Sequence, residues 1–166
     1  MARQVVLWIQ NALYKELLFQ ADKYYPDETG GILMGYWNEA QTEIVLKHII
    51  GPGPKAIHEL HRFEPDTEYH IGEIARIYEE SAQLFSYLGD WHTHPDATAM
   101  LSRLDKRTLC KIATHPPSRT PEPIMLIIGG DHESPQLKIH ILMWRKFIGL
   151  SFPGYHECVL RLYDES

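Results

Sequence analysis

The chain has 166 residues, 44% of them apolar and 23% charged, with a formal net charge of −6 at neutral pH. That length suits one domain with a sizeable core, and the composition excludes a disordered or membrane-embedded class. An acidic balance with scattered Lys and Arg lacks the electrostatic footprint of a nucleic-acid binder, so no nucleic-acid partner is expected.

The opening MARQVVLWIQNAL holds only a five-residue apolar run. Such a run is too short for a signal-peptide core or a membrane span, so the chain reads as cytoplasmic, with no membrane partner. Residues 5–9 (VVLWI) are β-branched and aromatic, as strands prefer, and NALYKELLFQADKYY follows with Leu13, Leu17 and Leu18 at helical spacing and Asn11 as cap. Pro26 ends that helix. GGILMGYW and TEIVLKHII then read as a strand pair joined by the polar turn NEAQ.

From Gly51 to Pro65 the sequence lacks periodicity and is punctuated by Gly and Pro, which predicts a surface loop. Asp66 to Leu84 places Ile71, Ile74, Ala75, Ile77 and Tyr78 at helical intervals, with Asp66 or Thr67 as cap. SYLGDWHTH reads as a strand broken by Pro95, and a third helix begins at Ser102. EPIMLIIGG and QLKIHILMW pair around the turn GGDHESP, and ECVLRLY supplies a last short strand. GLSFPGYHE, after Trp144, belongs to no motif. Three helices and about six strands in this order describe one mixed-sheet α/β domain over residues 1–166, with helices packed on the sheet.

Cys110 and Cys158 match no metal or redox spacing and read as reduced, partly buried thiols. Ten histidines in so short a chain direct attention to metal binding instead. His92 and His94 are two apart at a strand end, so the pleat sends both imidazoles to one face, and Pro95 turns the chain out of the sheet where open α/β sheets place ligands. Ser102 and Asp105 form a capping box ahead of Leu109 and Ile112, a role that is compatible with Asp105 also reaching a metal. Glu28, in PDETGGILMG, is by spacing alone a surface acid near a turn, with Gly30 and Gly31 serving turn geometry.

Among other features, His58-Glu59-Leu60-His61 falls one residue short of HExxH, and His58 and His61 are retained only as candidate substrate contacts on a loop. His115 suits a helix end, and His48, His70, His132, His140 and His156 carry no signal. Trp91 alternates to the face opposite His92 and belongs with the core. Asp96 either reaches the site or is solvated.

Taken together, Glu28 followed by His92-Thr93-His94-Pro95, Ser102 and Asp105 resembles the JAMM signature of the JAB/MPN metalloprotease family, Glu … His-x-His-Pro-x(6)-Ser-x-x-Asp. ETGGILMG looks like its prokaryotic branch. GPGPKA with FEPD resembles the small bacterial JAB proteins encoded beside ubiquitin-like conjugation machinery, including antiphage operons; the likeness spans residues 5 to about 145. The resemblance implies a cytidine-deaminase-like JAB/MPN architecture and one Zn²⁺ per chain held by His92, His94 and Asp105, three protein ligands being the pattern of catalytic zinc. It implies Glu28 as general base and then general acid, and Ser102 as donor to the oxyanion.

The implied activity is isopeptide or peptide hydrolysis after the extended C-terminal tail of a ubiquitin-like modifier or a conjugated protein, in bacterial antiviral defence, with activating and conjugating enzymes as further partners. On that reading the loop over residues 51–65 forms one wall for the tail. Processing of a sulfur-carrier protein or a small amino-acid conjugate would use the same metal site, and a non-catalytic MPN scaffold is the reading from another class. The intact set of five residues favours the enzyme. A zinc deaminase needs H-x-E and P-C-x-x-C, which are not found here.

Overall fold

The computed structural model describes residues 3–165. Its strands are β1 (Val6–Gln10), β2 (Gly30–Trp37), β3 (Glu43–Ile50), β4 (Ile57–Glu59), β5 (Arg62–Glu64), β6 (Ser86–Thr93), β7 (Ile124–Gly130), β8 (Pro135–Phe147), β9 (Leu150–Glu157) and β10 (Val159–Tyr163). The helices are α1 (Asn11–Tyr24), α2 (Thr67–Glu80) and α3 (Arg103–Thr114). Eight strands form one mixed sheet in the order β10-β1-β3-β2-β6-β7-β8-β9, while β4 and β5 make a hairpin of their own. This is the expected mixed α/β domain.

Helices cover both faces of the sheet. Leu17 of α1 is fully buried in the main core with Leu7, Ile9, Leu33, Leu46, Trp91, Leu126 and Ile141. On the other face α2 packs Ile77 against Ile32, Met34 and Ile50. Beside it α3 packs Leu109 against Met125, Ile127 and Leu142. Strand β6 runs parallel to β7 with α3 in the crossover, so the carboxyl end of β6 opens between the helices of this second face. Trp91 lies in the core as its alternation predicts, and its indole Nε1 donates to the Ile50 carbonyl at 3.1 Å.

Several elements depart from the sequence expectation. The loop over 51–65 contains the β4–β5 hairpin, whose three-residue strands are too short to show a period. β9 runs through GLSFPGYHE. Pro153 disguised it, yet β9 is an edge strand, where the missing N–H of a proline is tolerated. The α1 cap position is Gln10 without a side-chain bond, and Asn11 Nδ2 donates to Asp164 instead at 2.8 Å. α2 stops at Glu80 because Ala82 and Gln83 adopt left-handed backbone at φ 51° and 66°. Its cap is Asp66, which accepts from the Tyr69 N–H.

Burial pushes the Cys158 thiol up to about 12, so it is a neutral core group. Among the described residues no helix is long and apolar enough to cross a membrane.

Replacing Trp91 with Phe keeps an aromatic ring but leaves the Ile50 carbonyl unpaired. The variant should lose at least about 1–3 kcal/mol of stability in urea denaturation; an unchanged midpoint and slope would show that the indole bond is not a structural tie.

Candidate metal centre

The antiparallel register of β2 with β6 pairs Gly30 with His92. Continued outward, the Thr93 N–H donates to the Thr29 carbonyl at 2.9 Å and the Thr29 N–H to the Thr93 hydroxyl at 3.0 Å. One step further Glu28 leaves this ladder, its N–H donating to the Glu59 carbonyl, and its carboxylate charge bears on His94. Gly30 is required at its position: a Cβ there would stand 2.5 Å from the Trp91 carbonyl oxygen, 2.8 Å from the Phe63 ring and 2.9 Å from the His92 Cβ. The first glycine of the pair therefore serves a close approach inside a strand rather than a turn.

Beyond β6 the chain stays tied to β7. The His94 N–H donates to the Ile128 carbonyl at 2.8 Å and the Asp96 N–H to the Gly130 carbonyl at 2.9 Å. Residues 97–99 then lie across Gly129, where a Cβ would come within 2.5 Å of the Ala99 nitrogen. Buried His140 donates through Nε2 to the Ala99 carbonyl at 2.8 Å. This arrangement presents the Thr98 carbonyl to His94 Nδ1 at 3.1 Å, and because a carbonyl only accepts, Nδ1 carries the proton. The lone pair of His94 is thereby left on Nε2, which faces His92 and Asp105.

The third member of the cluster comes from the start of α3. Ser102 is the N-cap: its hydroxyl accepts from the Asp105 N–H at 3.1 Å and its own N–H donates to Asp105 Oδ2 at 2.7 Å, so the capping box predicted from sequence is present. The same carboxylate lies 3.1 Å from His92 Nε2 and 3.4 Å from His94 Nε2, while the two Nε2 atoms approach to 2.9 Å. Ligands at zinc distances of about 2.0–2.2 Å in a tetrahedron lie about 3.3 Å apart, so the donor set fits one zinc ion. It is the one such cluster of His, Cys, Asp and Glu among the described residues.

Burial alone would raise the Asp105 carboxyl, but hydrogen bonds from His92 and His94 hold it far below the usual carboxylate range. Burial likewise opposes charge on His94, and the Asp105 bond, the Thr98 carbonyl and the nearby Glu28 charge outweigh it, leaving His94 above its ordinary value.

The remaining expected residues lie around this cluster. Glu28 is half-buried in the segment before β2, its N–H donating to the Glu59 carbonyl at 2.9 Å. His58, on β4, donates through Nδ1 to the Glu28 carbonyl at 3.0 Å and stacks on Tyr24 with ring centroids 3.9 Å apart. His61 is exposed at the β4–β5 turn. Asp96 accepts from the Tyr25 hydroxyl on both oxygens at 3.0 Å, a bond that raises the phenol. Sequence reasoning missed Gly129, the Thr98 carbonyl, His140 and Phe63. Only the GG pair in IIGG offered any signal for them.

Residues 10–141 match the family model described as prokaryotic homologs of the JAB domain. A protein named probable metalloprotease y4qB from Sinorhizobium fredii is 38% identical over 130 residues, covering 78% of this chain and 79% of that protein. A CD-NTase/cGAS isopeptidase from Escherichia coli is 28% identical over 113 residues, 67% of each chain. The solution structure of protein DSY2949 from Desulfitobacterium hafniense superposes with a TM-score of 0.69 at 19% identity, covering 96% of this chain and 94% of that one, a likeness of fold.

Two substitutions separate capping from ligation. Ser102→Ala should cost about 0.5–2 kcal/mol of stability in denaturant titration while zinc content is kept. Asp105→Asn should keep an acceptor for the cap yet lose most of its zinc on metal analysis. Full zinc in the Asp105 variant, or loss of zinc in the Ser102 variant, would contradict the assignment.

Proposed function

Because the chain belongs to the family of prokaryotic homologs of the JAB domain, we propose that it is a zinc-dependent isopeptidase. Its substrate is a protein conjugate, cut after the extended C-terminal tail of a ubiquitin-like or similarly conjugated protein, in bacterial antiviral defence. The observation that carries this reading is the convergence of His92, His94 and Asp105, with the Glu28 charge bearing on His94. The relatives named CD-NTase/cGAS isopeptidases support a conjugated protein as substrate, and the relative named probable metalloprotease supports peptide-bond hydrolysis.

His92, His94 and Asp105 would hold zinc, which when bound would supply Lewis acidity to the scissile carbonyl and to water. The Glu28 carboxylate takes a proton from the attacking water and returns it to the leaving nitrogen as the C–N bond breaks. Both transfers involve one group whose main chain is bonded on both sides to β4, so the carboxylate needs no large movement. The Ser102 oxygen is engaged as acceptor by the Asp105 N–H, but its hydroxyl proton is left to donate to the carbonyl oxygen as charge builds there. Cap and oxyanion donor are compatible because a hydroxyl accepts and donates at once.

The β4–β5 hairpin stands beside the centre, with Phe63 against Gly30, and among the described residues β5 pairs only with β4. Its free edge suits an extended tail added as a further strand, with exposed His61 at the turn as a substrate contact.

The test is purified protein incubated with a conjugate bearing such a tail. Glu28→Gln should retain zinc and lose about 10²–10⁴ in kcat. Ser102→Ala should lose about 10²–10³ with KM little changed. Wild-type turnover in the Glu28 variant would remove it as the proton carrier.

A further inference from the structure

We propose that His58 is a positioning residue that fixes the Glu28 carboxylate by clamping its main chain. The inference rests on Glu28 as proton carrier. Glu28 lies outside the ladder of β2, which begins at Gly30; the Thr29 N–H bond to the Thr93 hydroxyl holds one side of the peptide after Glu28, and the Glu28 N–H and C=O themselves do not pair with β6. Both of its main-chain groups are instead bonded to β4: its N–H donates to the Glu59 carbonyl at 2.9 Å, and its C=O accepts from His58 Nδ1 at 3.0 Å. The first bond orients the peptide plane before the Glu28 Cα and the second the plane after it. With both planes held, φ and ψ are held, and so is the Cα–Cβ direction along which the carboxylate leaves the chain.

The His58 ring is itself immobilised. It stacks on Tyr24 at 3.9 Å with 13° between planes and leans on Phe63 at 5.5 Å. Tyr24 closes α1 and Phe63 packs against Gly30, so the ring is wedged between the helix that precedes Glu28 and the strand that follows it. The hairpin over residues 57–64 therefore works as a strut under the proton carrier as well as a flank of the cleft. Misplacing a reacting group by about 1 Å can cost about a hundredfold in rate. Only the Nδ1–H tautomer serves, because the Glu28 carbonyl cannot donate.

The experiment compares wild type, His58→Phe, His58→Asn and Glu28→Gln for kcat, KM and bound zinc on the conjugate used above. Phe keeps the stack and removes the donor, whereas the Asn amide places a donor near the position of Nδ1. The expected result is a kcat about tenfold to a hundredfold lower in His58→Phe, with KM and zinc unchanged, and substantial recovery of kcat in His58→Asn. Wild-type kcat in His58→Phe, no recovery in His58→Asn, or a change confined to KM would overturn the proposal, the last by making His58 a substrate contact. Nitrogen-15 NMR of the wild-type imidazole gives a check independent of any variant: an Nδ1–H signal is expected, and a neutral Nε2–H tautomer would overturn the clamp. Glu28→Gln separates the two claims. Full activity there defeats the proton-carrier reading, while its inactivity beside a fully active His58→Phe defeats only the positioning role.

Discussion

The antiparallel pairing of β2 with β6 is the constraint on which the centre depends, because one register decides two placements at once. Gly30 opposite His92 leaves room for the imidazole and for the Phe63 ring beside it. Thr29 and Thr93 extend the ladder past its formal end, and Glu28 follows directly, with its main chain handed over to β4. Residues 64 positions apart in sequence are thus aligned by hydrogen bonds between the two strands.

The second constraint is the economy of the α3 start. Ser102 and Asp105 meet the needs of an orphaned helix terminus, and the oxygens that meet them also face the histidines. A carboxylate held by the Ser102 N–H in this way has little rotational freedom, which preorganises a ligand at little further entropic cost. The loop from Pro95 to Leu101 completes the frame. His140 and Gly129 shape it from below, and it presents the one carbonyl that fixes the His94 tautomer. Two imidazole nitrogens 2.9 Å apart beside a carboxylate form a convergence of lone pairs that calls for a cation or a proton among them.

How much of this was legible in sequence follows from the range of each interaction. The shared face of His92 and His94, the Trp91 alternation and the Ser102–Asp105 box are local, set by the periods of strand and helix, and each was readable from a few residues. Glu28 was not, since its place depends on a register between strands, and only the family pattern pointed to it. The β4–β5 hairpin and β9 escaped because three-residue strands and an edge proline carry no period. The Thr98 and Ala99 carbonyls left no trace at all, because every residue has one. His140, given no role from spacing, is buried with its Nε2 on one of those carbonyls.

The central claim is that two imidazoles and one carboxylate from β6 and α3 hold a single zinc ion. Zinc K-edge X-ray absorption on the zinc-loaded protein tests it most directly. The account predicts a first shell of nitrogen and oxygen at about 2.0–2.2 Å with imidazole scattering from two rings and no sulfur. A sulfur shell at about 2.3 Å, or a spectrum unaltered by His92→Ala and His94→Ala, would contradict it.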